Sequence, residues 1–310
     1  MSVLIHTVLP QEAGLTVREL LTARFAVSSS LRRQLFCREG AILLNRKAVF
    51  LSTRVTAGDV LAVDVTDPEG STSIAPVDFP LAVLWEDEHL LAVDKPAGIT
   101  VHGAALTEEA ITVAGAAAHY LGSAAVHVVN RLDRGTSGVM LIAKNGYMHG
   151  RCTALLHTEG FCREYRAVCE GAPAPLRGTI DAPIGRDETS LLRRCVRPDG
   201  QRAVTEYEVL SVHSGRALVR LLPHTGRTHQ LRVHMAHISH PLVGDWLYGT
   251  EDKALITRPA LHSYRLRFTH PLTGEVIEVT APLPEDMVGL MGAPEGRHGV
   301  ISKEHTNRQT

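Results

Sequence analysis

The chain has 310 residues, 44% hydrophobic and 21% charged, an ordinary balance for a globular protein of one large domain or two. Its apolar runs are far shorter than the roughly 20 residues of a membrane-spanning helix, and residues 1–10 lack the pattern of a signal peptide. The five cysteines form no C-x-x-C pair. We therefore expect free thiols and a cytoplasmic protein without membrane contact.

The net charge of −1 hides an uneven distribution of charge along the chain. Residues 1–126 carry 9 Lys and Arg against 14 Asp and Glu, whereas residues 127–235 carry 16 against 10. Fifteen of those 16 cations are arginine, whose guanidinium makes bidentate contacts with phosphate. A solvated surface is the more ordinary interpretation, so the excess of positive charge only suggests nucleic acid.

Residues 14–66 have the pattern of a small separate unit. Thr16, followed by Glu19, predicts a capping box at the start of a first helix, and Ser28 or Ser29 can cap a second helix. Short strand-like segments follow the second helix. Five cations cluster on that helix and the turn after it: Arg32, Arg33, Arg38, Arg46 and Lys47.

Beyond this unit, residues 67–80 are rich in Pro, Ser and acidic side chains, which is typical of a linker. From Leu81 onward, strand-like segments outnumber helical ones, without a regular alternation of the two. This pattern predicts an α+β fold with a mixed, largely antiparallel central sheet and flanking helices. Helices are expected at 107–121, 146–158 and 228–238.

A single carboxylate, Asp133, lies in a polar segment between two apolar runs that look like buried strands, 126–129 and 139–143. Arg131 and Arg134 flank it. A loop held between buried strands is a usual place for a functional group, and an ionised carboxylate can act as a base or a covalent nucleophile. A salt-bridged acid in a tight turn is the competing interpretation, and these residues alone favour it.

Residues 222–240 combine a predicted strand end, a glycine-containing turn and a helix expected to begin near Thr228, which can cap it. Arg227 would lie just before the helix N-terminus, where free backbone N–H groups attract anions. The segment also carries His229, His234, His237 and His240. Because no acidic residue lies among them and their spacing differs from H-E-x-x-H, we expect polar or core histidines and no metal site.

Tyr165 begins a predicted strand in R-E-Y-R-A-V. Its ordinary role would be that of a half-buried strand aromatic. A tyrosine ring can also stack on a nucleobase. The residue alone does not separate these roles.

Taken together, six motifs in order over roughly residues 81–284 resemble the RluA-type family of RNA pseudouridine synthases. They are D-K-P-A-G-I-T-V-H (94–102), R-L-D-R-G-T-S-G (131–138), R-E-Y-R-A-V (163–168), H-T-G-R-T-H-Q-L-R-V-H with P-L-V-G-D-W-L-Y-G (224–234 and 241–249), L-H-S-Y-R-L-R-F-T-H-P (261–271) and A-P-L-P (281–284). The family usually has His before R-L-D, where this chain has Asn130. An amide can make similar hydrogen bonds.

The resemblance implies an enzyme that isomerises uridine to pseudouridine in structured RNA, either ribosomal or transfer RNA, without a cofactor. It implies that Asp133 is the nucleophile on a flipped-out uridine, that Tyr165 packs against the base and assists the final proton removal, and that Arg227 pairs with Asp133. Arg131 would help to displace the base. The expected substrate-binding residues are Arg131, Thr136 and His229.

Residues 14–66 also resemble the αL-type RNA-binding module of a ribosomal small-subunit protein, with N-R-K in place of its N-G turn. The expected organisation is an RNA-binding module at 1–66, a linker at 67–80, a catalytic domain at 81–288 and a flexible tail at 289–310, in a monomer. An RNA-binding protein that kept the fold but lost catalysis is the alternative. The presence of Asp133, Tyr165 and Arg227 argues against it.

Overall fold

The computed structural model describes residues 2–67, 74–103, 111–123, 125–156 and 158–292. Three sheets are present within these ranges, with four, ten and two strands. Parts of the predicted linker (68–73), of the first predicted helix of the catalytic domain (107–110) and of the predicted tail (293–310) lie outside them. In the described ranges, no helix has the length and apolar character needed to cross a membrane.

The four-stranded sheet lies at the N-terminus, in the order β1-β4-β2-β3. Its elements are β1 (Val3–Thr7), α1 (Val17–Ala23), α2 (Ser29–Cys37), β2 (Ile42–Leu44), β3 (Lys47–Ala48) and β4 (Val60–Asp64). The predicted capping box is confirmed, because Thr16 Oγ1 accepts from the Glu19 backbone N–H at 3.2 Å while Glu19 Oε2 accepts from the Thr16 backbone N–H at 2.7 Å. Ser28 caps α2 by accepting from the Leu31 backbone N–H.

The ten-stranded sheet has the order β10-β13-β14-β9-β15-β8-β6-β5, with β16 beside β15 and β7 beside β8. Of its strand pairs, only β8 and β15 run parallel, and the others are antiparallel. The predicted α+β fold with a mixed, largely antiparallel sheet is therefore confirmed. The strands of the ten-stranded sheet are β5 (Ala82–Glu86), β6 (Leu90–Lys95), β7 (His127–Val128), β8 (Ser137–Ala143), β9 (Phe161–Glu170), β10 (Arg177–Asp181), β13 (Val204–His213), β14 (Arg216–Pro223), β15 (Leu261–Thr269) and β16 (Val276–Thr280). The two-stranded sheet is a separate hairpin of β11 (Ile184–Arg186) and β12 (Arg194–Val196).

The helices beside this sheet are α3 (Val113–Leu121), α4 (Gly146–Leu155), α5 (Gln230–His237) and α6 (Glu285–Leu290). α3 begins later than predicted because Thr112 caps it, with Oγ1 accepting from the Gly115 backbone N–H at 3.0 Å. The predicted cap of α5 by Thr228 is wrong. His229, in a left-handed conformation with φ 57°, precedes the first helical residue, and its side chain makes no capping hydrogen bond.

The loop that contains Asp133 precedes β8, whose seven residues are all buried in the middle of the sheet. Gly138 has φ 109°, and a Cβ atom there would lie 2.2 Å from the carbonyl oxygen of Ser263 on β15. Only glycine permits this close approach of the two parallel strands. Gly138 therefore fixes the point at which the loop containing Asp133 meets the large sheet.

The N-terminal unit, which contains the four-stranded sheet, contacts α4 beside the ten-stranded sheet. The Tyr147 hydroxyl and Arg151 Nη1 each donate to the carbonyl oxygen of Phe25 at 2.7 Å. Arg151 Nη2 also donates to the carbonyl oxygen of Pro271 at 2.7 Å, and the Tyr147 side chain is part of the N-terminal hydrophobic core. These contacts orient the N-terminal unit relative to the large sheet.

Candidate active site

A cavity of about 670 Å³ lies beside the loop that contains Asp133. This volume is within the range of roughly 300–1,000 Å³ that small-molecule sites occupy. The structure brings all six of the predicted catalytic and substrate-binding residues to its wall: Arg131, Asp133, Thr136, Tyr165, Arg227 and His229. Residues more than 90 positions apart in sequence therefore converge on one site.

The loop is held to β6 by a bifurcated contact at its backbone. The carbonyl oxygen of Arg134 accepts from the Gly98 backbone N–H at 2.8 Å and from Lys95 Nζ at 3.1 Å. Thr136 donates its backbone N–H to the carbonyl oxygen of Asp133 at 3.0 Å and is itself buried. The Asp133 side chain remains 36% exposed. The backbone is thus fixed while the carboxylate stays accessible from the cavity.

Lys95 binds the backbone of the loop that contains Asp133, a role that the sequence did not predict. Its side chain is fully buried, and Nζ also donates to the carbonyl oxygen of Pro96 at 2.8 Å. Burial, and to a smaller extent the positive charge of Arg258, lower the pKa of Lys95 to about 8, while the negative charge of Asp133 acts in the opposite direction. The available signal was a lysine at the end of a largely apolar strand, since lysine is rarely buried without a specific partner.

The arginine that lies near Asp133 in the structure is a different one from Arg227, which the resemblance implies as its partner. Arg227 Nε donates to the carbonyl oxygen of Arg202 at 3.0 Å. Instead, Arg232 Nη1 lies 3.8 Å from Asp133 Oδ2, and the Arg232 side chain is only 7% exposed. Arg232 lies on α5, whereas Arg227 precedes the left-handed His229 and the start of that helix.

His229 also lies near the carboxylate of Asp133. Its Nε2 lies 3.9 Å from Asp133 Oδ2, while Nδ1 is 2.8 Å from the Tyr248 hydroxyl. Burial is the largest influence on the pKa of His229 and lowers it, whereas the negative charge of Asp133 acts in the opposite direction. A neutral imidazole beside Asp133 can provide a hydrogen bond without adding a full charge.

Tyr165 lies on β9, and its side chain is 7% exposed. Burial raises the pKa of its hydroxyl, Arg163 acts to lower it, and Asp133 adds to the rise. The phenol therefore stays protonated at neutral pH. Because its ring faces the cavity, Tyr165 forms an uncharged wall against which a planar base can pack.

Arg131 is exposed at the cavity, whereas Asn130 before it is buried. Asn130 Oδ1 accepts from the Leu141 backbone N–H at 2.7 Å. The amide that replaces the family's usual histidine thus ties the start of the loop to β8.

The histidines of the α5 segment have ordinary polar partners. His234 Nδ1 lies 2.9 Å from Thr205 Oγ1, and His240 Nδ1 lies 2.8 Å from the carbonyl oxygen of Glu170. Across the described parts of the chain, no group of three or more His, Cys, Asp or Glu side chains could hold a metal ion.

The five cations predicted to bind RNA differ in their surroundings. Arg38 donates to the backbone carbonyl oxygens of Asp64 and Thr66 at the end of β4, and Arg32 Nη1 donates to Thr22 Oγ1 at 2.7 Å. Arg33, Arg46 and Lys47 are exposed. Arg38 therefore supports the N-terminal unit itself.

Comparison with known proteins places this site in a family. Residues 89–237 match a family model described as RNA pseudouridylate synthase. The uncharacterized RNA pseudouridine synthase YjbO of Bacillus subtilis is 38% identical over 89% of this chain and 98% of its own length. Ribosomal large subunit pseudouridine synthase D of Xanthomonas campestris is 37% identical over 91% of this chain and 89% of its own.

Two solved structures have a similar fold. Human RNA pseudouridylate synthase domain containing 1 has a TM-score of 0.56 and 27% identity over 66% of this chain and 83% of its own. Human RNA pseudouridylate synthase domain containing 4 has a TM-score of 0.55 and 27% identity over 67% of this chain and 90% of its own. The chain therefore belongs to the family of RNA pseudouridine synthases, isomerases that convert uridine to pseudouridine in RNA.

Proposed function

We propose that Asp133 is the nucleophile that attacks a uridine turned out of the RNA into the cavity. The observation that carries this proposal is the position of its carboxylate. It is accessible from a cavity of nucleotide size, lies 3.8 Å from Arg232, and shares the cavity wall with the ring of Tyr165. An accessible carboxylate on a fixed backbone is suited to covalent catalysis.

The reaction breaks the bond between N1 of uracil and the anomeric carbon of ribose and forms a bond from C5 to the same carbon. N1 gains a proton and C5 loses one, so the overall change is an isomerisation. Asp133 would hold one fragment covalently, at either the anomeric carbon or C6, while the base turns. Tyr165 supports the base as a neutral surface during this turn, because burial raises the pKa of its hydroxyl.

Extrusion of the target base from a helix costs a few kcal/mol. Arg131 lies at the cavity next to Asp133, where its guanidinium can occupy the space that the base leaves and contact neighbouring phosphates. Thr136 contributes through the turn that it forms with Asp133. Arg227, which does not pair with Asp133, remains on the cavity wall as a candidate contact for the RNA.

We infer that the substrate is ribosomal RNA of the large subunit. The support is that relatives named for this activity align over most of the chain, including residues outside the catalytic loop. We propose action as a monomer, because all six predicted catalytic and substrate-binding residues meet at one cavity within one chain. The free state of all five cysteines agrees with a cytoplasmic enzyme.

The Asp133→Asn variant tests the role of Asp133. We expect no detectable pseudouridine, because an amide of the same size is a far weaker nucleophile, with thermal unfolding and RNA affinity close to those of the unchanged protein. Pseudouridine formation would be measured on RNA transcripts under single-turnover conditions. Normal activity in this variant would exclude Asp133 as the nucleophile.

The target is tested by mapping pseudouridines in total RNA from cells with and without the gene. We expect sites in large-subunit ribosomal RNA to disappear when the gene is deleted and to return with a plasmid copy, but not with the Asp133→Asn copy. Loss confined to transfer RNA would contradict the proposed substrate while leaving the chemistry intact.

A further inference from the structure

Arg163 lies two residues before Tyr165 on β9, so both side chains are on the same face of the strand. Both line the cavity beside Asp133. Neighbouring residues on one face of a strand are separated by about 7 Å along it. Tyr165 is buried, whereas Arg163 is half-buried and lies closer to the start of β9. The guanidinium of Arg163 is therefore nearer to solvent than the ring of Tyr165.

In the part of the chain that the structure describes, no carboxylate lies within ion-pair distance of Arg163. The adjacent Glu164 is buried and pairs with two other arginines. Its Oε1 lies 2.7 Å from Arg166 Nη1, and its Oε2 accepts from Arg265 Nη2 at 2.6 Å. The guanidinium of Arg166 also lies 4.5 Å from the centre of the Tyr264 ring. Of the two arginines in R-E-Y-R, Arg163 is thus the one whose charge is available to a ligand.

The donors of the Arg163 guanidinium are only weakly used by the protein. Nη2 donates to the carbonyl oxygens of Pro223 and Thr225, each at 3.5 Å, which is longer than an ordinary N–H···O bond. Nε is buried without an acceptor, and Nη1 makes no hydrogen bond with the residues of the described ranges. Gly226 leaves room for this end of the side chain, since a Cβ atom there would lie 3.2 Å from Nη1. A charged group with unused donors in a cavity wall is suited to an anionic ligand.

We propose that Arg163 binds a backbone phosphate of the RNA, at one of the two linkages that flank the target uridine. This inference rests on the proposed packing of the base against Tyr165. With the base against that ring, the ribose and its phosphates extend towards the solvent side of the cavity, where Arg163 lies. Nη1 and Nη2 then donate to two oxygens of the same phosphate, the parallel geometry that a guanidinium forms with this group.

A phosphate fits this position better than a carbonyl group of uracil. The phosphate supplies the negative charge that no carboxylate of the described residues provides at Arg163. RNA carries such a charge at every linkage, and each contact between an arginine and a phosphate releases bound counterions. The contact therefore predicts a change in the salt dependence of binding, which a hydrogen bond to the neutral base does not.

The test is a cycle that removes each side of the contact in turn. The protein is changed by Arg163→Gln. The RNA is a short hairpin of large-subunit ribosomal sequence that the unchanged protein modifies, with each flanking phosphate in turn replaced by an uncharged methylphosphonate. Dissociation constants are measured in the Asp133→Asn background, so that the RNA is not converted during the measurement.

We expect Arg163→Gln to weaken binding about 10- to 100-fold, the usual effect of losing a hydrogen bond to a charged group. At one of the two linkages, the methylphosphonate should weaken binding to a similar extent. The two changes together should then weaken binding no more than either change alone. Arg163→Gln should also lower the slope of log K against log salt by roughly 0.7–0.9, whereas Arg163→Lys, which keeps the charge, should retain the slope.

The matched control is Arg166→Gln, three positions along the same strand. Arg166 pairs with Glu164 and is absent from the cavity wall. Its loss should lower the unfolding temperature, while the RNA dissociation constant and the salt slope stay within error of those of the unchanged protein. This comparison separates the loss of an arginine on β9 from the loss of a contact in the cavity.

Losses that multiply at both linkages would overturn the proposal, because the guanidinium would then contact a different group of the RNA. A dissociation constant within about two-fold in Arg163→Gln would overturn it equally. If this variant does not fold, Arg163→Met, which keeps the apolar part of the side chain, replaces it in the same cycle. Failure of the proposed function is read separately, as pseudouridine formation by Asp133→Asn, since the phosphate contact is measured as affinity whichever residue attacks the uridine.

Discussion

Asn130 shows how a single side chain fixes the loop that carries Asp133, the proposed nucleophile. Its amide oxygen accepts from the Leu141 backbone N–H at 2.7 Å, and the side chain is only 5% exposed. A neutral histidine can accept the same hydrogen bond through a ring nitrogen. The difference from the family's usual residue therefore preserves the function of the position, which is to attach the loop to β8.

We expect Asn130→His to retain activity within about two-fold, because the acceptor for the Leu141 N–H is kept. In contrast, Asn130→Ala leaves that buried N–H without an acceptor, at a cost of about 1–3 kcal/mol in the free energy of unfolding. Urea denaturation and single-turnover rates measure the two effects. An unchanged free energy of unfolding in the alanine variant would show that this hydrogen bond does not hold the loop.

Arg232 is a residue whose position near Asp133 the sequence did not predict. The motif H-T-G-R-T-H-Q-L-R-V-H contains both Arg227 and Arg232, and the resemblance assigned the ion pair to the first. The structure places the second beside Asp133 and directs the first to the carbonyl oxygen of Arg202. Between the two arginines, His229 has a left-handed backbone, a conformation that nothing in the local sequence required.

At the scale of elements, the contact between β8 and β15 supports the site from behind. These strands run parallel, and His262 on β15 lies 2.9 Å from Ser137 Oγ on β8 through Nδ1. Its Nε2 lies 3.3 Å from the carbonyl oxygen of Ala281, beyond the end of β16. A neutral imidazole thus joins three segments of the sheet that supports the catalytic loop.

Burial lowers the pKa of His262 from its ordinary value of 6.5 to about 4. The unfolded chain therefore binds a proton at this residue between about pH 6.5 and pH 4, whereas the folded chain does not. The stability that His262 contributes is fully present above pH 6.5 and is lost as the pH falls towards 4. The expected loss is on the order of 3 kcal/mol.

We predict that His262→Gln, which keeps polar atoms but cannot be protonated, reduces the loss of stability between pH 7 and pH 4 by about this amount. Chemical denaturation of both proteins across this pH range provides the measurement. The other histidines with lowered pKa values remain in both proteins, so they cancel in the comparison. Parallel pH profiles for the two proteins would contradict the assignment.

At the scale of the whole molecule, the N-terminal unit has a defined position relative to the large sheet and the cavity. Tyr147 and Arg151 on α4 both donate to the carbonyl oxygen of Phe25, so a helix beside the large sheet holds the unit in place. The cations of that unit are then carried at a defined position relative to the cavity. We propose that they extend the RNA-binding surface, with Arg38 serving the structure of the unit instead.

We expect the combined change of Arg32, Arg33, Arg46 and Lys47 to glutamine to weaken RNA binding and to reduce its salt dependence. Each cation that contacts a phosphate should lower the slope of log K against log salt by roughly 0.7–0.9. The single-turnover rate at saturating RNA should be unchanged, because these residues are absent from the cavity wall. RNA affinity would be measured at several salt concentrations.

The control is Arg177→Gln, an exposed arginine on β10 at the outer edge of the large sheet. It should leave the salt slope unchanged. An unchanged slope in the fourfold variant would show that the N-terminal cations do not contact RNA and would argue against an RNA-binding module at 1–66.

Features that depend on neighbours in the chain were determined by the sequence itself. The caps at Thr16 and Ser28, the excess of strands over helices and the apolar runs around Asp133 each reflect local hydrogen bonding or local burial. The order of the motifs indicated the family, and the family resemblance predicted the six residues that line the cavity. The start of α5 was not predicted correctly, because tertiary contacts maintain an unfavourable local conformation at His229.

Only the tertiary structure decided which charged groups face one another. Lys95, Arg232 and Asp245 lie in three separate segments, and their spacing in sequence carries no information about the distance between their side chains. Sheet pairing and the packing of α5 bring them to the loop of Asp133. Ion pairs across a fold depend on distances of a few ångströms between remote segments, and chain packing alone sets those distances.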